Sequence, residues 1–149
     1  MRFTPDHYRD ASLHRIADAL ELYKQDKYAG AIYYAGVSVE CILRAYRVRQ
    51  DPEFDSRHDL EILEKSSGIA TFIPENQGRH FAQQFTVVWS RWKNDYRYAS
   101  DERLRSEFRR LKLYQGIKGD FLKENARITM AAALELVNQG VSQWNSKMS

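Results

Sequence analysis

Tyr28, Ile32, Ala35, Val39, Ile42 and Tyr46 follow one another at steps of 4-3-4-3-4. That rhythm is one face of an α-helix, and a strand, whose side chains alternate every second residue, cannot carry it. Around the stripe, Ala29, Ala31, Ala35 and Gly36 keep part of the surface small. Small residues let a neighbouring helix approach closely, so this helix is expected at the centre of the fold. Seven Gly and three Pro in 149 residues leave few turn positions for a β fold and favour long helices.

The rest of the chain follows the same rhythm. Leu13, Ile16, Leu20 and Tyr23 predict a first helix, and Thr4-Pro5-Asp6 supplies its start: Pro suits the first turn and Asp the positive end of the helix dipole. Asp51-Pro52 breaks the chain, and Asp55 or Ser56 is placed to cap a short third helix through Leu60 and Leu63. Phe81, Phe85, Val88, Trp89 and Trp92 predict a fourth helix, and Ser100 or Asp101 begins a charged helix running toward Gly116. Gly119 is a stop and Asp120 a cap, after which Met130, Leu134, Val137, Val141 and Trp144 predict the last helix. No linker or repeat divides the chain. The expectation is a single all-α domain over 1–149, an antiparallel four- to five-helix up-and-down bundle. Trp89, Trp92 and Trp144 are expected to pack inside the core, with an aromatic-rich bundle base or a dimer interface as the alternative.

Several function classes lose their basis in the sequence. No apolar run approaches the roughly 20 residues that span a bilayer, and the polar start is no secretory leader, so a cytoplasmic protein without a membrane segment is expected. The single cysteine, Cys41, excludes an internal disulfide framework. A phosphate-cradling glycine loop, a Gly-x-Ser-x-Gly elbow and a His-Glu-x-x-His pair are all missing. Four scattered histidines and one cysteine make no metal cluster, so neither metal nor cofactor is expected. Cys41, beside Ile42 on the central helix, reads as a small core residue. The net charge of +3 permits an acidic partner without indicating one.

Three landmarks remain. The central helix reads "YAGAIYYAGVSVECILRAYR", in which small residues precede Glu40, then Arg44 and Ala45. The short third helix is introduced by "RHDLEIL", with His58 followed by Leu60. After the fourth helix, "WKNDYRYAS" sets Asp95, Tyr96, Arg97 and Tyr98 side by side. In this order, over about residues 8–145, they resemble the HEPN family (higher eukaryote and prokaryote nucleotide-binding). The resemblance implies a HEPN-like helical bundle, often a homodimer, of a kind found beside small nucleotidyltransferases or acting as a ribonuclease in toxin–antitoxin and antiviral systems.

The family's ribonucleases share an Arg followed four to six residues later by His near the late helix. Here Arg97 is followed by Tyr-Ala-Ser-Asp-Glu-Arg, and no histidine occurs beyond His80. The same spacing at Arg2…His7 and Arg9…His14 lies at the wrong end of the chain and is the chance level expected of this composition.

The resemblance, with this departure, therefore implies a non-catalytic or weakly catalytic module that binds a nucleotide, RNA or a partner nucleotidyltransferase, with a site of Arg97, Tyr98, Asp95, Glu40, Arg44 and His58. In that site Arg97 would meet a phosphate, Tyr98 would stack on a base, and Asp95 would orient the arginine or take a sugar hydroxyl. A metal-independent endoribonuclease with a divergent site, and an interaction module without nucleotide binding, are the alternatives. Against each residue stands a purely structural role: a within-helix ion pair for Glu40 and Arg44, capping for His58, packing for the tyrosines. In "DERLRSEFRRLKLY", Arg105, Arg109 and Lys112 fall on one face and Arg103 and Arg110 on another, either as a solvated helix or as an RNA-backbone surface.

Overall fold

The computed structural model describes residues 1–54 and 60–145. These residues are helical and contain no strand. Six α-helices follow in order: α1 (Pro5–Lys24), α2 (Tyr28–Gln50), α3 (Leu60–Ser67), α4 (Gly78–Trp89), α5 (Asp101–Arg110) and α6 (Phe121–Ser142). Short 3-10 turns cover Ile69–Phe72, Glu75–Gln77 and Asn94–Tyr98. They form an all-α bundle in which α2 packs on α1, α3 and α6, and α4 packs on α6. None of these helices is long and apolar enough to cross a membrane.

α1 starts where the sequence places it. The Thr4 side chain accepts from the His7 amide, and His7 reaches back to the Thr4 amide, closing a capping box over the first turn. Its inward face departs from the expected stripe. Leu13 and Leu20 are exposed, while Ser12, Ile16 and Ala19 are buried. Ser12 and Ala19 are small enough to bring α1 close against α2, and Ser12 hides its hydroxyl by donating to the Arg9 carbonyl at 2.6 Å.

α2 is the central helix, and every member of its 4-3-4-3-4 stripe is buried. One core surrounds its C-terminal half with Leu63, Phe85, Val88, Trp92, Met130 and Leu136. There the Tyr46 hydroxyl donates to the Gly140 carbonyl at 2.6 Å, and Arg49 lies 3.8 Å from the centre of the Trp144 ring. A second core surrounds its N-terminal turns with Tyr96, Leu104, Phe108, Leu122 and Ala126. Phe108 is wholly buried, which stabilises by about 1.5–3 kcal/mol relative to an exposed ring. This second core seats α5 and the turn before it.

The tryptophans do not gather at one end. α4 stops at Trp89, whose ring is exposed, and Trp92 follows after a turn, flat against α2 at Gly36. Trp144 sits ten residues further along α2, edge-on to Tyr46, with ring centres 5.0 Å apart. On α6 the expected Met130, Val137 and Trp144 are buried, with Leu134 and Val141 at the margin. The charged helix ends at Arg110, short of Gly116; Lys112 there takes a left-handed φ of 60°. Asp120 caps α6 as its position suggested, accepting from the amides of Leu122 and Lys123.

Candidate functional site

The segment from Arg91 to Asp101 is fixed at four points. Burial holds the Arg91 guanidinium below its usual range, and its Nε donates to Asn125 Oδ1 at 2.9 Å. Asn125, itself buried, donates to the carbonyls of Leu113 and Phe121, both at 2.8 Å. Trp92 lies on the bare surface of Gly36, and its indole N–H donates to the Tyr33 carbonyl at 2.9 Å. The Tyr96 ring is buried against Phe108, with centres 6.2 Å apart. Asp101, the first residue of α5, completes the start of α2: its Oδ1 accepts from the Ala29 amide at 2.8 Å and its Oδ2 from the Tyr28 amide at 3.4 Å. The residue before α2, Lys27, offers no side-chain cap of its own. Ser100 caps α5, so the two candidate starters have separate tasks.

Between these anchors the Asn94–Tyr98 turn presents side chains in two directions. On one side Asp95, Tyr96 and Tyr98 line a pocket of about 330 Å³ together with Lys93, Ala99, Arg103, Leu104, Glu107 and Arg110. The Tyr98 ring is 77 % exposed, an open aromatic face. Glu107 pairs with Arg110, and that bond, with Lys93 and Arg103 nearby, holds its carboxyl below the usual range. Lys93 and Arg103 form no ion pair among the described residues. The Tyr96 phenol is pushed up to about 12, first by burial and then by Glu107 and Asp95. Counting Lys93, Arg103 and Arg110 against Asp95 and Glu107, the lining carries a net +1.

On the other side Arg97 turns toward α2. Its guanidinium lies 4.7 Å from the centre of the Tyr98 ring, and the neighbouring hydroxyls of Tyr98 and then Tyr33 raise it above its usual range. Tyr33 is raised chiefly by its own burial, with Arg97 opposing and Glu40 adding to the shift. Glu40, buried, accepts from Arg44 at 3.3 Å within α2. Beside them Cys41 is half-buried and its thiol is pushed up to about 12, by burial first and Glu40 second. Such a thiol is no nucleophile near neutrality.

Thus Asp95, Arg97 and Tyr98 share one turn; Glu40 is near enough to Tyr33 to raise it, and neither Glu40 nor Arg44 lines the pocket of Asp95 and Tyr98. His58 lies outside the described residues. Sequence reasoning passed over Lys93, Glu107 and Tyr33; the seven-residue step from Arg103 to Arg110 was the visible signal for the α5 wall. Arg105 and Arg109 are drawn away from this wall: Arg105 binds Asp120 at 2.6 Å, and both guanidinium groups stand over Phe121. Among the described residues, no three or more His, Cys, Asp or Glu side chains are grouped to hold a metal ion. Compared with protein-family models, with curated proteins and with solved structures, the chain finds no match.

Proposed function

We propose that this chain is a HEPN-like helical module whose pocket between the 93–99 segment and α5 binds a nucleotide or a short stretch of RNA. The observation that carries the reading is the meeting in one pocket of Lys93 and Arg103, which form no ion pair among the described residues, with the open ring of Tyr98. A phosphate answers the cations and a base answers the ring. Asp95 is placed in the same lining to accept from a sugar hydroxyl. On this reading α2 is the family's central helix in an up-and-down bundle, and Arg97 stands between the Tyr98 ring and Tyr33 of that helix. The module works by binding, as a homodimer or beside a partner nucleotidyltransferase, in the cytoplasm.

Calorimetric titration of the full chain with ATP, GTP and a short RNA tests this. Binding is expected, weakened at least about tenfold by Arg103→Glu and by Tyr98→Ala, and falling as salt rises. Arg97→Ala is expected to weaken it as well, because that guanidinium holds the Tyr98 ring. A parallel incubation of labelled RNA without metal asks whether the site also cleaves. Absence of binding by every ligand would sink the proposal and leave the turn a structural joint.

A further inference from the structure

A second pocket, sharing no lining residue with the first, opens between α4 and α6. Its volume is about 370 Å³, within the range of small-molecule sites. Ile73, Phe81 and Leu136, all buried, contribute its apolar surface. His80, Gln84 and Glu135 form a linked group in its lining. A carboxylate only accepts, so the His80 Nε2–H donates to Glu135 Oε2, at 2.7 Å. Gln84 Nε2 donates to the same oxygen at 2.5 Å. Glu135 Oε1 has no hydrogen-bond partner among the described residues. Gln77, Asn138, Gln139 and Ser142 add uncharged polar side chains to the lining.

The electrostatics of this pocket are the reverse of those beside Tyr98. It contains no lysine or arginine, and Glu135 is its one carboxylate. A phosphate or carboxylate ligand would find no lysine or arginine there, and the one histidine, His80, is already turned onto Glu135. A positively charged N–H donor would find a half-exposed anionic oxygen with its lone pairs open, beside uncharged amide side chains able to accept, above an apolar surface for a hydrocarbon stem. We propose that this pocket binds a small organic cation, an alkylguanidinium or alkylammonium, with its charged head on Glu135 Oε1 and its stem against Ile73, Phe81 and Leu136. Such a group is carried by a free amine or by an arginine or lysine side chain of a peptide.

Calorimetry of the full chain with agmatine, with Nα-acetyl-arginine amide, with n-pentanol and with inorganic phosphate tests the proposal and separates the two sources. Binding of one or both cations is expected, with pentanol and phosphate silent. Preference for agmatine assigns the pocket to a free amine, and preference for the capped arginine assigns it to a peptide side chain. Glu135→Gln is expected to weaken cation binding about tenfold or more, the loss of a charge-assisted hydrogen bond. Asn138→Arg, at an exposed rim position, is expected to abolish it by repulsion while leaving the core untouched, and serves where Glu135→Gln folds poorly. Amide shifts in NMR spectra with agmatine are expected at Ile73, His80, Phe81 and Glu135. No binding by either cation, equal binding of pentanol, affinity unchanged in Asn138→Arg, or shifts centred on Tyr98 would each overturn it.

Discussion

Gly36→Ala sets two principles against each other. An alanine in a helix interior is better than glycine by about 1 kcal/mol, so α2 taken alone would gain stability. The structure forbids that gain. A Cβ at position 36 would lie 2.0 Å from Trp92 Cδ1 and 2.2 Å from Cγ. Ordinary carbon contacts sit near 3.5–4.0 Å, so the indole must retreat by roughly 1.5 Å or more. Trp92 is buried with Val88 and Phe85 in the same core and has little room to do so. Overpacking of this kind costs about 1–3 kcal/mol, and the displaced indole N–H loses its bond to the Tyr33 carbonyl for about 1 kcal/mol more. Expelling the tryptophan altogether caps the cost at about 3–5 kcal/mol. Subtracting the propensity gain leaves a net loss of about 2 kcal/mol, or roughly 4–8 °C in Tm for a chain of this size. Thermal and urea denaturation measure it, and the indole N–H resonance of Trp92 reports the displacement directly. Combining Gly36→Ala with Trp92→Leu should cost less than the sum of the two, since the clash is then gone. A Tm that rises or holds in Gly36→Ala would refute the reasoning, because propensity would then be acting without opposition.

Asp101→Ala removes the acceptor for two amides at the start of α2 and is expected to lower stability by about 1 kcal/mol in urea denaturation, with Asp101→Asn retaining most of it. Alkaline titration is expected to destabilise the fold. Burial raises the Tyr46 phenol from 10.0 to about 12, so the folded state holds this proton more tightly than the unfolded chain. The resulting stability is full below pH 10 and is lost as pH climbs toward 12. Tyr46→Phe should flatten part of that alkaline decline, measured by urea melts between pH 9 and 12, while lowering stability at neutral pH by about 1 kcal/mol through the lost bond to Gly140.

Local signals were legible where a residue's partner lies close by in sequence. Thr4 caps α1 through His7, and Asp120 caps α6 through Leu122 and Lys123; both are contacts within three residues. The α2 stripe was legible because α2 is covered on several sides, so its apolar face is buried throughout. α1 was misread at Leu13 and Leu20 because close helix packing selects small residues, and hydrophobicity alone cannot distinguish Ser12 and Ala19 from a solvent face. Trp92 continues the apolar spacing of α4 but leaves the helix, since its partner is the missing side chain of Gly36, 56 residues earlier. The site residues follow the same division. Asp95, Arg97 and Tyr98 were visible as neighbours, but the turn's two opposite directions were not, because Tyr33 and α5 supply them from a distance.

The carboxylate of Asp101 on the amides of Tyr28 and Ala29 has a kinetic consequence. Most helices nucleate on caps supplied from within their own first turn, whereas α2 must wait for a residue 72 positions away. Its first turn therefore frays until the loop closes, and the Ala29 amide gains protection from hydrogen exchange only when α5 docks. Pulsed hydrogen exchange during refolding is expected to show the Ala29 amide protected later than the C-terminal half of α2 and together with the docking of α5.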